Sequence, residues 1–115
     1  MELPSSSCGN IQVVARVRPL SDSELQKGHE TALQADPDCT SITVTGSAYT
    51  QKSGRSFGLH RVFDTEARQH ELFDSCVSAL VDDVLLGYNV CVFAYGQTGS
   101  GKTYTMEGPP SAENQ

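Results

Sequence analysis

The stretch VCVFAYGQTGSGKTYTMEG, residues 90–108, decides how this chain is read. Val90, Cys91, Val92, Phe93 and Ala94 form an uninterrupted apolar run, the pattern of a strand buried on both faces of a parallel sheet. That run leads straight into Gly96, Gln97, Thr98, Gly99, Ser100, Gly101, Lys102 and Thr103, which fit the spacing G-x-x-x-x-G-K-[ST] of a phosphate-binding loop. The spelling has a physical cause. Glycines permit positive φ and close backbone approach, so successive N–H groups turn inward around phosphate oxygens at a helix N-terminus. Lys102 reaches the β- and γ-phosphates as a point charge, and Thr103 offers its hydroxyl to Mg²⁺, whose octahedral shell is completed by phosphate oxygens and water. With ordinary residue usage, about a hundred start positions produce such a match by chance on the order of 0.5% of the time.

Upstream of the loop, the spacing predicts a helix over residues 66–86. Leu72, Phe73, Cys76, Val77, Leu80, Val81, Val84 and Leu85 repeat in pairs along one face, Thr65 is placed to cap the start, and Gly87 the end. Asp82 and Asp83 fall inside this repeat on its solvated side. They are therefore not the end of a strand that brings a second contact to Mg²⁺. Further back, residues 55–63 read as a strand and residues 41–45, SITVT, as another, with the turn-forming residues 46–54 between them as a long hairpin loop. Residues 11–17 read as a short strand that Pro19 stops, and residues 21–28 as one loose helical turn. Residues 1–10, MELPSSSCGN, have no periodicity and read as a flexible leader.

Composition bounds the rest. The chain has 115 residues, with 8 basic against 14 acidic side chains and a net charge of −6, which fits one small domain or part of a larger one. That balance argues against a module gripping nucleic acid or an anionic membrane by summed charge. No apolar run reaches the ~18 residues that span a bilayer, and residues 1–10 lack a signal-peptide pattern, so the expected location is cytoplasmic. The four cysteines, Cys8, Cys39, Cys76 and Cys91, show no metal-ligand or framework spacing; Cys76 and Cys91 lie in apolar patterns and read as core thiols.

The loop by itself indicates some P-loop NTPase and leaves ATP and GTP open. Three segments in order narrow it: residues 92–108, VFAYGQTGSGKTYTMEG; residues 10–20, NIQVVARVRPL, with its R-x-R-P turn; and Val62-Phe63 followed by a helix ending Gly87-Tyr88-Asn89. Together they resemble the motor domain of kinesins, and the resemblance covers nearly all of residues 11–115. It implies an α/β fold of the P-loop NTPase, kinesin motor type, a sheet with flanking helices of which this chain carries the N-terminal portion. It also implies Mg·ATP or Mg·ADP as ligand, with Arg16, Arg18 and Pro19 flanking the adenine and the Tyr104 ring packing against it. For the complete motor it implies ATP hydrolysis, microtubules (tubulin) as partner, and a place on the cytoskeleton.

His60 stands where the family often has an acidic residue. The two switch segments of kinesins, an S-S-R-S-H stretch and a D-x-x-G strand end, are not among these residues. Positioning water and stabilising the transferring phosphoryl group depend on such groups, so the chain alone is expected to turn over little or no ATP, with no catalytic residue of its own. Two other readings compete. One is a short non-motor product that binds nucleotide or a partner without turnover. The other is a small-molecule or nucleotide kinase, whose loop usually follows the first strand rather than some ninety residues of chain.

Overall fold

A computed structural model describes residues 11–45 and 55–110. The chain divides into two compact units, residues 1–66 and 67–115, and each is described by itself. Elements of both classes are present, so the architecture is mixed α/β with small sheets.

Among its described residues, the first unit has five short strands. β1 (Val14–Arg16) pairs in parallel with β5 (Arg61–Phe63), Ala15 opposite Val62. β2 (Leu33–Ala35), β3 (Ser41–Val44) and β4 (Arg55–Gly58) form an antiparallel sheet in the order β2-β3-β4. The β3–β4 pairing, Ile42 opposite Phe57, is the expected hairpin; its loop, residues 46–54, lies outside the described residues, as do residues 1–10. The expected strand over residues 55–63 is two strands, because the chain bends at Leu59 and His60. There Leu59 N–H donates to Thr40 O at 2.8 Å and His60 N–H to Val13 O at 2.9 Å, so the two halves join different sheets. β2 was not evident in the sequence: Leu-Gln-Ala has no strand propensity to speak of, and the backbone of β3 makes it a strand.

The core of this unit is Val17, Ile42 and Val62, with Ala15, Ala35 and Leu59 packed around it. Val62 is nearly fully enclosed, and burying a valine contributes about 2 kcal/mol. Helix α1 (Asp22–Gln26) is the predicted helical turn, and Ser21 closes a capping box on it. Ser21 Oγ accepts from Glu24 N–H at 3.2 Å, while a Glu24 carboxylate oxygen accepts from Ser21 N–H at 2.7 Å.

In the second unit the helical run is continuous from Gln69 to Leu85, as α2 (Gln69–Leu72), a π turn (Phe73–Val77) and α3 (Ser78–Leu85). It begins three residues later than expected. Thr65 is not its cap: Thr65 N–H donates to the Asp64 carboxylate, and the N-cap position is Arg68, whose N–H is taken by Glu71 Oε2 at 2.6 Å. The C-terminal end is as expected. Gly87, at φ +97°, donates to Val84 O and Tyr88 N–H donates to Asp83 O, the paired bonds of a Schellman cap. Asp82 and Asp83 lie within α3, in agreement with the helical reading of that segment.

Residues 90–94 do not form the expected buried strand. They are neither helix nor strand and pair with no strand among the described residues, and Val92 and Phe93 are exposed. An apolar run becomes a strand only when a neighbouring backbone takes its N–H and C=O groups, and no described segment does so here. Cys91 accordingly is exposed rather than core, and Cys76 is half-buried. Helix α4 (Lys102–Glu107) follows the loop and ends at Gly108.

Candidate nucleotide-binding site

The loop of residues 96–103 is shaped by its glycines. Gly101, at φ +101° and ψ 19°, is the N-cap of α4, a left-handed conformation that only glycine adopts without strain. Ser100 N–H donates to Gln97 O at 3.1 Å, closing a turn over Thr98 and Gly99. At Gly96 the requirement is space: a Cβ there would stand 2.5 Å from Ser100 Oγ and 3.2 Å from Ser100 Cβ. The Lys102 ammonium donates to Gly96 O at 2.6 Å, so the first and seventh residues of the motif are tied together.

This folding back brings six of the sequence-predicted residues to one surface. Thr98, Gly99, Gly101, Lys102, Thr103 and Tyr104 line a concavity of about 330 Å³. Thr103 and Tyr104 are exposed, and Lys102 is half-buried. Gly96, Gln97 and Ser100 are not among its lining residues and supply the bonds that hold the loop's curve. The lysine geometry fits a phosphate ligand. An ammonium carries three donors, and Gly96 O uses one, which leaves two for phosphate oxygens without unlocking the loop. A volume of about 330 Å³ sits at the small end of ligand clefts. The exposed Thr103 hydroxyl is a hard oxygen donor suited to Mg²⁺.

Arg16, Arg18 and Pro19 belong to the first unit. Arg16 ends β1 and is half-buried. Arg18 is held by Glu24 in a two-pronged pair, Nη2 to Oε1 at 2.8 Å and Nη1 to Oε2 at 3.1 Å, and Nη1 also reaches Pro19 O at 3.2 Å. The hydrogen bonds to Glu24 raise the Arg18 pKa above its ordinary value. Glu24 is in turn lowered to about 2, by the Arg18 guanidinium first and the Ser21 N–H next. Glu24 was missed in the sequence, although the S-x-x-E spacing of Ser21 and Glu24 carries the signal. Gln69 was missed as well: it donates to the Thr105 carbonyl at 2.7 Å, and no local pattern announces a contact across so long a separation.

Outside the loop, a larger concavity of about 550 Å³ in the first unit is lined by Val13, Thr40, Gly58, Leu59 and His60. None of these is a permanent cation, so its lining is not that of a phosphate site. Among the described residues, no helix is long and apolar enough to cross a membrane.

Comparison with known proteins agrees with the loop. The family model for the kinesin motor domain matches residues 16–115. Kinesin-like protein KIN-5B of Oryza sativa subsp. japonica is 46% identical over 99 residues, which are 86% of this chain and 9% of that protein. Kinesin-like protein KIF3C of Bos taurus is 46% identical over 99 residues, 85% of this chain and 12% of that protein. Kinesin heavy chain of Syncephalastrum racemosum is 41% identical over 102 residues, 89% and 10% respectively. The chain thus spans about a tenth of the length of these relatives. With a family match over most of its residues and identities well above 30%, the chain belongs to the kinesin motor domain family.

Proposed function

We propose that this chain is the nucleotide-binding, N-terminal part of a kinesin-type microtubule motor, which in complete form hydrolyses Mg·ATP to act on microtubules in the cytoplasm. Residues 96–103 cradle the phosphates of ATP or ADP. Lys102 neutralises the β- and γ-phosphates, Thr103 contributes its hydroxyl to Mg²⁺, and the Tyr104 ring offers an aromatic face to the adenine. The resemblance to the family gives Arg16, Arg18 and Pro19 as residues that flank the adenine. Mg²⁺ supplies charge neutralisation at the phosphates when bound. This chain's own residues bind and orient, and turnover belongs to switch segments that these residues do not include.

The observation that carries this reading is the loop itself: a left-handed glycine at the start of α4, and a lysine folded back on the motif's first carbonyl with two donors left over. Titration of the chain with fluorescent Mg·ADP, alongside circular dichroism, tests it. Saturable binding is expected, and Lys102→Ala should weaken it by at least about tenfold, or about 1.4 kcal/mol, in a chain that keeps its fold. Unchanged affinity in a folded Lys102→Ala variant refutes the assignment.

A further inference from the structure

Helix α4 carries Lys102 and Thr103 in its first turn, and it has only six residues. A helix this short does not hold itself in water, and its last carbonyls have no partner within it. Two groups meet them. Gly108 N–H donates to Tyr104 O at 2.8 Å, and the Gln69 carboxamide donates through Nε2 to Thr105 O at 2.7 Å. The second bond bridges 36 residues of sequence, from the first residue of α2 to the fourth residue of α4. Gly108 lies against the same side chain, since a Cβ there would stand 3.9 Å from Gln69 Cγ. Thr105 in turn donates its N–H to Gly101 O at 2.9 Å, and Gly101 is the residue that turns the loop into the helix. A chain of bonds therefore runs from Gln69 through Thr105 to Gly101. Helix α2 is not the beneficiary of this arrangement, because its own N-terminus is served by Glu71 on the Arg68 N–H.

We propose that Gln69 is a positioning residue of the phosphate loop. It fixes α4 at a carbonyl of its C-terminal half, and through the Thr105–Gly101 bond it sets the direction in which Lys102 and Thr103 present their donors to a nucleoside diphosphate. The inference rests on the nucleotide-site reading above. The amide suits this role: a carbonyl accepts, so the partner must donate, and the neutral carboxamide brings no charge near the phosphates.

The test measures Mg·ADP affinity of the full chain in four forms: unchanged, Gln69→Ala, Gln69→Met and Lys102→Ala. The methionine keeps the stem against Gly108 and lacks the donor. Each is titrated at a temperature where far-ultraviolet circular dichroism matches the unchanged chain. A merely stabilising role leaves the dissociation constant nearly unmoved there, because apparent affinity falls only by the unfolded fraction. Both Gln69 variants are expected to raise the dissociation constant at least about fivefold. A Gln69→Met constant within about twofold of the unchanged chain, with Lys102→Ala still weakened about tenfold, overturns the positioning role alone. No binding by the unchanged chain, or no effect of Lys102→Ala, overturns the site reading and this inference with it. If neither Gln69 variant folds, the residue belongs to the folding core and the positioning role is refuted.

Discussion

Two glycines of the loop are required for different reasons, and substitution separates them. At Gly96 a methyl group meets Ser100 Oγ at 2.5 Å and Ser100 Cβ at 3.2 Å, with Lys102 Cγ at 3.9 Å. The hydroxyl can turn away, but the Cβ must also give ground, and Lys102 is anchored to the Gly96 carbonyl. Gly96→Ala is expected to weaken Mg·ADP binding by about tenfold, and adding Ser100→Gly should recover most of the loss, because it removes both clashing atoms. Titration of the single and double variants checks this; equal losses in both would show that the clash is not the cause. Gly101 has open space around it, and its φ of +101° is the constraint. Gly101→Ala costs on the order of 1–2 kcal/mol of local stability, and no neighbouring deletion relieves it.

At the scale of elements, α1 shows how five residues make a helix. Ser21 and Glu24 cap one another, and Arg18 clamps Glu24 from outside, so the turn is closed by side chains rather than by length. The electrostatics give this a pH signature. The carboxyl of Glu24 lies at about 2 in the folded chain against an ordinary 4.5, a depressed value, so the unfolded chain binds the proton more readily. The stabilisation from Glu24 is then fully present above about pH 4.5 and disappears as pH falls through about 2. Carboxyl-carbon NMR titration should place the Glu24 midpoint near 2, and Arg18→Met should move it up toward the ordinary value. A midpoint that ignores Arg18→Met would show that the pair does not persist in solution. The clamp also occupies donors on both Nη atoms of Arg18, so this guanidinium is committed to holding α1.

At the scale of the whole molecule, the apolar side chains buried among the described residues are few. Val17, Ile42, Val62, Phe63 and Leu72 are buried, whereas Leu85, Leu86, Phe93 and Tyr95 are at least three-quarters exposed. Folded stability is a small difference between large terms, and a core of this size leaves little margin. An apolar segment such as residues 90–94, unpaired with any strand among the described residues, is also a template for pairing with another chain. Phe93→Lys is expected to slow concentration-dependent aggregation several-fold without reducing Mg·ADP affinity, as read by light scattering beside the nucleotide titration. Unchanged scattering would place the sticky surface elsewhere.

Residues acting on their own neighbours were legible from the sequence. The motif of residues 96–103, the left-handed Gly87 that ends the helix, the helical turn after Ser21 and the β3–β4 hairpin are written in spacing, because the bonds that make them join residues close in the chain. Strand identity was not legible in the same way. Leu33–Ala35 is a strand without a strand's composition, and residues 90–94 have the composition without the strand, since a ladder needs a second backbone that the segment itself does not contain. The bond from Gln69 to Thr105 is of the same kind. Local sequence set the curve of the loop, and tertiary structure decided what braces it, because the bracing group comes from another element whose arrival depends on how the whole unit folds.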